Sequence, residues 1–296
     1  MPPRTIQSYP LSDYDARLAD LGIYVGRFEI LDRTFNRPPR PHRHEHYELF
    51  WLRGPARHVN DFKDYALPGD RASLVLVSPG QVHRWEGVEA IRGTLVSFTQ
   101  AFFDGTSGAP GLLAELDWSF ASAAGPVLTA DAQLEREVAP LISRCEAEFA
   151  GRGFGWPDVV RAQLVQTLVF SQRAWRRTAE GTTPGPSHGL VRRLRRLIEK
   201  RFKTQPTVAA LAKVLGVTPG HLSEVAKKLT GATVRELVEQ RTLLEAKRLL
   251  VHSELTISEI AYGLGYEDPS YFARSFRRAA GKSPGDFREA ARAAAR

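Results

Sequence analysis

His42, His44, His46 and Glu48, in PHRHEHYELFWLRG, are all even-numbered, so in an extended segment they share one face with Phe50 and Leu52. A further histidine, His83, follows the Pro79-Gly80 turn of SPGQVHRWEG and points the same way as Trp85 on the strand that comes next. Imidazoles and a carboxylate grouped this way have three uses. They can bind a divalent metal, grip a polar or carboxylate-bearing small molecule, or stand as ordinary hydrogen-bonded residues at the mouth of a β-fold. Arg40, Arg43 and Trp85 nearby favour an anionic or aromatic ligand.

A second chemistry is cationic and lies near the C-terminus, in TISEIAYGLGYEDPSYFARSFRRAAGKSPGDFR from Thr256 to Arg288. Thr256 and Glu259 form a capping box, so a helix should begin there, with Ile257, Ile260, Ala261 and Leu264 on one face and Gly265 as its stop. Asp268 and Pro269 then start a second helix at once. Its spacing turns Phe272, Phe276 and Ala279 inward and leaves Ser270, Tyr271, Arg274, Arg277 and Arg278 on or near the outer face. A donor-rich, positively charged helix face suits the major groove of DNA.

The pattern occurs twice. Thr207, Val208, Leu211, Ala212, Leu215 and Gly216 precede Thr256, Ile257, Ile260, Ala261, Leu264 and Gly265 by a constant interval. After one extra turn residue, Thr218, Pro219, Leu222, Ala226, Lys227, Lys228 and Gly231 match Asp268, Pro269, Phe272, Phe276, Arg277, Arg278 and Gly281. The repeat predicts two helix-turn-helix units joined by an unbroken helix over Thr233 to Val251, with Val234, Leu237, Val238, Leu244 and Leu249 toward a core. At about 1.5 Å per residue that connector is roughly 28 Å long, near the roughly 34 Å of one DNA turn, so one chain could address two successive grooves. His221 and Glu224 fall on the outer face of the first unit's second helix. Glu224 stands where the second unit has Arg274, and a carboxylate there either accepts from a cytosine amino group or leaves the first unit to hold phosphates through Lys227 and Lys228.

From Leu190 to Arg288, above all in EAKRLL, EIAYGLGYEDPSYFARSFRR and GKSPGDFR, the chain resembles the DNA-binding domain of AraC/XylS-type bacterial transcription regulators. The histidine-rich stretch, with His-x-His, a glutamate four residues on and a later Pro-Gly turn before another histidine, resembles the metal-binding pattern of cupin barrels, although Glu48 to Gly54 is one residue shorter than usual. AraC-type regulators place a similar barrel ahead of the DNA-binding domain to hold an effector. The resemblance therefore implies a sensory barrel, a small-molecule effector at His42, His44, Glu48, His83 and Trp85, a helical dimerisation segment, an activator that works with RNA polymerase, and no cofactor. HVNDFKDYALPGDRASLVLVSPGQVHRWEG and GTLVSFTQAFF further resemble regulators of aromatic-acid breakdown, which implies an aromatic acid as effector.

The chain has 296 residues, enough for two cores, and its 43% hydrophobic and 25% charged content is that of a folded globular protein. Charge is segregated. Residues 188 to 296 hold 21 Lys+Arg against 11 Asp+Glu, so the +8 of the whole chain divides into +10 there and −2 elsewhere. The single cysteine, Cys145, has apolar neighbours at helical spacing and is expected to be buried. MPPRTIQSYP lacks the apolar centre of a signal peptide, and no run of about 18 apolar residues could cross a membrane, so a cytoplasmic location is expected.

Short strands around Tyr24 to Leu31, His46 to Arg53, Ala56 to Phe62, Ser73 to Ser78 and Thr94 to Thr99 predict a β-sandwich or small barrel. From Asp131 to Arg177 the period becomes helical, with Leu134, Val138, Leu141, Ile142, Cys145 and Phe149 in one stripe and Val160, Leu164, Thr167, Leu168 and Ser171 in another. The pair either dimerises, making a C2 homodimer, or packs on the barrel. Thr178 to Ser187 reads as a linker. In LVRRLRRLIEKRF, Leu190, Leu194, Leu197, Ile198 and Phe202 face inward, and the intervening arginines outward.

The expected architecture is an α+β multidomain protein. A cupin-like barrel with its helical dimerisation segment would occupy residues 1–177, a linker 178–187, and an all-α domain with two helix-turn-helix units 188–296. The function expected is a DNA-binding transcription regulator that answers to an effector and is not an enzyme. Two alternatives are a cupin-type metalloenzyme with His42, His44, Glu48 and His83 on a catalytic metal, and a constitutive DNA-binding protein.

Overall fold

A computed structural model describes residues 8–14, 21–29, 41–104, 112–115, 127–178 and 186–294. Arg40, the end of the expected first strand and most of the expected linker lie outside these. The chain forms two compact units, Gln7–Thr182 and Thr183–Arg296.

The N-terminal unit has three layers. Its larger sheet is antiparallel with strand order β10 (Val127–Thr129), β7 (Ala72–Val77), β4 (Tyr47–Arg53), β9 (Arg92–Phe98) and β2 (Ile23–Arg27). A smaller antiparallel sheet runs β6 (Lys63–Leu67), β5 (Ala56–Asn60), β8 (His83–Glu86), and a short parallel pair joins β1 (Ser8–Tyr9) to β3 (Arg43–His44). Because side chains alternate along a strand, Phe50, Leu52, Val75, Val77 and Leu95 of the larger sheet meet Leu67 and Trp85 of the smaller one. The opposite face presents Ile23, Val25, Leu49, Leu74, Leu76, Val96 and Phe98 to a helical layer. The strand ASLVLV is covered on both sides, and its continuous apolar run is the reason.

Three expectations change here. Among the described residues the strands form three sheets, the two larger ones facing each other, and not one closed barrel. The strand expected to run to Phe62 ends at Asn60, because Asp61 and Phe62 adopt positive φ and turn the chain into β6, whose polar sequence KDYAL gave no alternation to read. The even-numbered histidines are not on one straight strand, since a bend at Glu45 and His46 separates β3 from β4.

The helical layer is α3 (Ala132–Gly151) and α4 (Trp156–Thr178); the shorter α1 (Gln100–Asp104) and α2 (Leu112–Glu115) precede it. Asp131 caps α3 through the Leu134 amide, and Arg152 at φ 48° ends it. The two apolar stripes pack together and against the larger sheet, so both are already covered within the unit. Cys145 is fully buried, and burial pushes its thiol up to about 12. The folded protein should therefore resist thiol-specific alkylation at neutral pH and react only on unfolding, as mass spectrometry with and without denaturant would show.

The C-terminal unit contains α5 (Pro186–Arg201), α6 (Val208–Leu215), α7 (Pro219–Thr230), α8 (Val234–His252), α9 (Ile257–Gly263), α10 (Pro269–Ala280) and α11 (Pro284–Ala294) around one core. The caps are those the residue types imply. Thr207, Thr218, Thr233, Thr256 and Asp268 each accept a first-turn amide, with full capping boxes at Thr233 and Thr256. Both helix-turn-helix units form with the expected boundaries. Ala279 is exposed, contrary to expectation, because the core contact of that last turn is made by Ala280.

The connector α8 also differs in its inner face. Leu244 is only partly buried, while Thr242, Glu245, Ala246, Arg248 and Leu250 are buried. Arg248 Nη1 donates to Glu245 Oε2 at 3.0 Å, and Arg241 donates to the same oxygen at 3.2 Å while gripping Glu199 of α5 through two bonds of 2.5 and 2.7 Å. The rod is thus fastened to α5 by charge as well as by leucines.

Candidate nucleic-acid interface and a buried histidine cluster

The second helix of each helix-turn-helix unit carries its polar residues outward. His221, Glu224, Lys227 and Lys228 on α7 are all exposed, as are Ser270, Tyr271, Arg274, Arg277 and Arg278 on α10. Leu222, Val225 and Ala226 hold one helix to the core, and Phe272 and Phe276 hold the other. Each of the two packs on the connector α8. Arg274 lies 3.8 Å from Asp268 and within 6.0 Å of the Tyr271 ring centroid, and Lys227 lies 3.9 Å from Glu236. Exposed pairs this loose contribute little and release readily to a phosphate or base.

Part of the basic surface is structural. Arg193 of α5 donates to the Leu215 carbonyl at 2.9 Å, and Arg288 donates to the carbonyls of Leu250 and Leu255 at 3.0 and 2.6 Å. These carbonyls lie at or beyond helix C-terminal ends, where cationic donors are favoured. Within the C-terminal unit, the turn of the second helix-turn-helix meets the segment that joins α5 to α6. Gln205 Nε2 donates to the Leu264 carbonyl at 2.9 Å, and Gly265 sits against the Lys203 carbonyl with no room for a side chain.

The N-terminal unit gathers the second set of residues where the two sheets meet. Glu48, the second residue of β4, lies opposite Val77 and Ser97, His42 bridges to His83 through 3.1 and 2.8 Å backbone bonds, and His83 lies opposite Asn60. The nearest nitrogens of His44 and His83 stand 3.3 and 3.4 Å from Glu48 Oε2, and that of His46 stands 3.8 Å from Oε1. Tyr14 donates to Oε1 at 2.6 Å. His44, His46, Glu48, His58 and His83 are buried.

Sequence reasoning missed His58 and Tyr14. His58 Nε2 lies 3.3 Å from His83 Nδ1, and its ring lies 4.4 Å from that of Trp85. Cross-strand pairing of β5 with β8 was the signal, and it requires the register that only the fold supplies. Trp85 is in the core between the sheets, beside Phe28 and Phe50.

Burial dominates the titration of these rings. It pushes His44 down to about 4 and His58 down to about 3, and His83 well below the ordinary histidine value. Burial alone would raise Glu48, but the surrounding His44, His46 and His83 hold it below the usual carboxylate range. His44, His58 and His83 are thereby held toward the neutral form beside one carboxylate. Both ring nitrogens of His44 and of His46, Nε2 of His83 and Oε2 of Glu48 lack an aligned hydrogen bond.

Comparison with known proteins bears on the C-terminal unit first. Residues 211–290 match the family model described as a helix-turn-helix domain. The chain is 33% identical over 110 residues to the transcriptional activator Btr of Bacillus subtilis, a match covering 37% of this chain and 20% of that one. It is 25% identical over 252 residues to the transcriptional activator RhaS of Salmonella arizonae, covering 84% and 87%. Among solved structures, the C-terminal domain of AraT, a response regulator from Geobacillus stearothermophilus, is 34% identical with a TM-score of 0.35, covering 37% of this chain and 88% of that one. The chain spans only a fifth of the first of these relatives, so that likeness concerns the C-terminal unit alone. Two tandem units of this kind give the C-terminal unit the helix-turn-helix domain of AraC-type transcription regulators.

Proposed function

We propose that the chain is an effector-responsive activator of transcription whose two recognition helices, α7 and α10, bind the two parts of one operator. The supporting observation is that all nine residues singled out for DNA are exposed on those two helices, each carried on the same connector. Lysines and arginines supply affinity through phosphates, while His221, Glu224, Ser270, Tyr271 and Arg274 read base edges. The N-terminal unit is a cupin-like sensor, with His42, His44, Glu48, His83 and Trp85 at its ligand site. A homodimer and RNA polymerase are its protein partners, and the cytoplasm is its location. Both α3 and α4 stripes are already covered, so a dimer must use their outer surfaces. The relatives named above are regulators, which favours a sensor over an enzyme.

The operator is obtained by selecting full-length protein on random duplexes. Arg274→Ala is then expected to lose about 1–3 kcal/mol of binding and relax preference at one or two base pairs, as an arginine bidentate to guanine would. Arg277→Ala is expected to weaken all duplexes alike and to reduce the salt slope by about 1. An Arg274→Ala protein with the wild-type preference would exclude that residue from base reading.

A further inference from the structure

We infer that the connector helix α8 is itself a DNA-binding element, with Arg235 holding a phosphate of the spacer between the two parts of the operator. The inference rests on reading α7 and α10 as recognition helices and adds a third contact, to the duplex between them. Two helices in successive major grooves on one face of B-DNA have the minor groove between them, bordered by two sugar-phosphate ridges. A cation placed there meets phosphate first.

The first two turns of α8 lie between the recognition helices. On one side Glu236 Oε2 stands 3.9 Å from Lys227 Nζ of α7. On the other, the charge of Arg235 acts on the Tyr271 hydroxyl of α10, and Glu239 and Tyr271 both act on the Tyr266 hydroxyl. Lys227 and Tyr271 belong to the exposed set that faces DNA, so Arg235 shares their side of the unit. Val234 and Val238 turn the opposite face of these turns into the core, and 72% of the Arg235 side chain is exposed. Its Nε donates to Glu239 Oε1 at 2.8 Å, one turn on, while its two terminal nitrogens make no hydrogen bond among the described residues. The carboxylate thus fixes the guanidinium plane and leaves the outer edge open to an anion. Glu236 is engaged elsewhere, accepting from the Thr233 amide at 2.6 Å in the capping box. The repeat marks this position out. Thr233, Val234 and Glu236 recur, at the interval that relates the two units, as Ser283, Pro284 and Asp286, but Gly285 takes the place of Arg235. The cation therefore occurs only in the copy that lies between the two recognition helices.

The test uses full-length protein and the operator that selection yields, with binding read by anisotropy and the fold of each variant checked by circular dichroism. Arg235→Ala should weaken binding about 10-fold at about 0.1 M salt, reduce the salt slope by about 1 and leave the base preferences in both parts of the operator unchanged. Spacer phosphates are then made neutral one at a time as methylphosphonates. One or two of these should weaken wild-type binding about 10-fold and have no further effect on Arg235→Ala, while Arg235→Lys stays sensitive to them. This coupling separates a contact from the general loss of one positive charge, which would leave both proteins equally sensitive. Glu239→Ala, which frees the guanidinium, should keep the salt slope and spread the sensitivity over more spacer phosphates. Equal methylphosphonate sensitivity in wild type and Arg235→Ala, an Arg235→Ala protein with wild-type affinity and salt slope, or an altered preference for A·T pairs in the spacer, which would place the side chain on base edges, would each overturn the assignment. Wild-type protein for which selection yields no operator would overturn both this contact and the DNA-binding reading beneath it.

Discussion

Glu245→Ala is expected to destabilise the C-terminal unit by about 3 kcal/mol, far more than a helical surface glutamate would. The reason is what it faces. Its carboxylate lies between Arg241 and Arg248, and Arg248 is 2% exposed at the centre of the unit. Removing the acid leaves two guanidinium groups side by side with the charge between them gone, and breaking a buried ion pair by deleting one member costs several kcal/mol. Replacing both members, Glu245→Leu with Arg248→Met, should recover most of the loss, since a buried pair exchanged for packed apolar groups is often close to neutral. The measurement separates the units because all five tryptophans, the last at Trp175, belong to the N-terminal one. In urea, the helical signal at 222 nm should shift to lower denaturant, while the tryptophan transition stays in place. Coincident shifts of both signals, or no shift in either, would contradict this account.

That network also marks where the sequence stops being readable. Caps and turns were legible because each depends on a few adjacent residues: Thr256 with Glu259, or Asp268 with Pro269, carries its instruction locally. The repeat made the second unit a check on the first. The inner face of α8 was not legible, because the rule that apolar residues face inward assigns Leu244 to the core and Arg248 to solvent. The structure does the reverse for Arg248, since Glu245 gives its charge a partner. In the N-terminal unit the period-two pattern gathered His42, His44 and Glu48 even though a bend interrupts the strand. His58 stayed hidden because only the antiparallel register of β5 on β8 brings it beside His83. Sheet closure was equally beyond a single chain's pattern, which specifies the faces of strands and not which edges meet.

Gly265→Ala is expected to cost about 3 kcal/mol, and Gly216→Ala only about 1, although the two glycines occupy the same place in the repeat. Both have positive φ, 80° and 70°, so an alanine is strained at either position. Their surroundings differ. Around Gly216 nothing lies within 4 Å of an added Cβ, whereas at Gly265 that atom would fall 2.0 Å from the Lys203 carbonyl oxygen, which is backbone and has no rotamer to yield. Gly265 is where the second unit's turn touches the segment joining α5 to α6, and Gln205 bonds the adjacent Leu264 carbonyl there. A Cβ must push these apart, and because α7 and α10 both depend on their place along α8, the separation of the two DNA-facing helices changes with it. Urea titration followed at 222 nm gives the stability difference. Operator binding by the folded Gly265→Ala protein should then fall more on the two-part site than on either half alone, with Gly216→Ala near wild type on all three. Equal penalties at the two glycines would mean that the turn of the second unit is not wedged against the segment joining α5 to α6, and that the rod alone sets the spacing of the recognition helices.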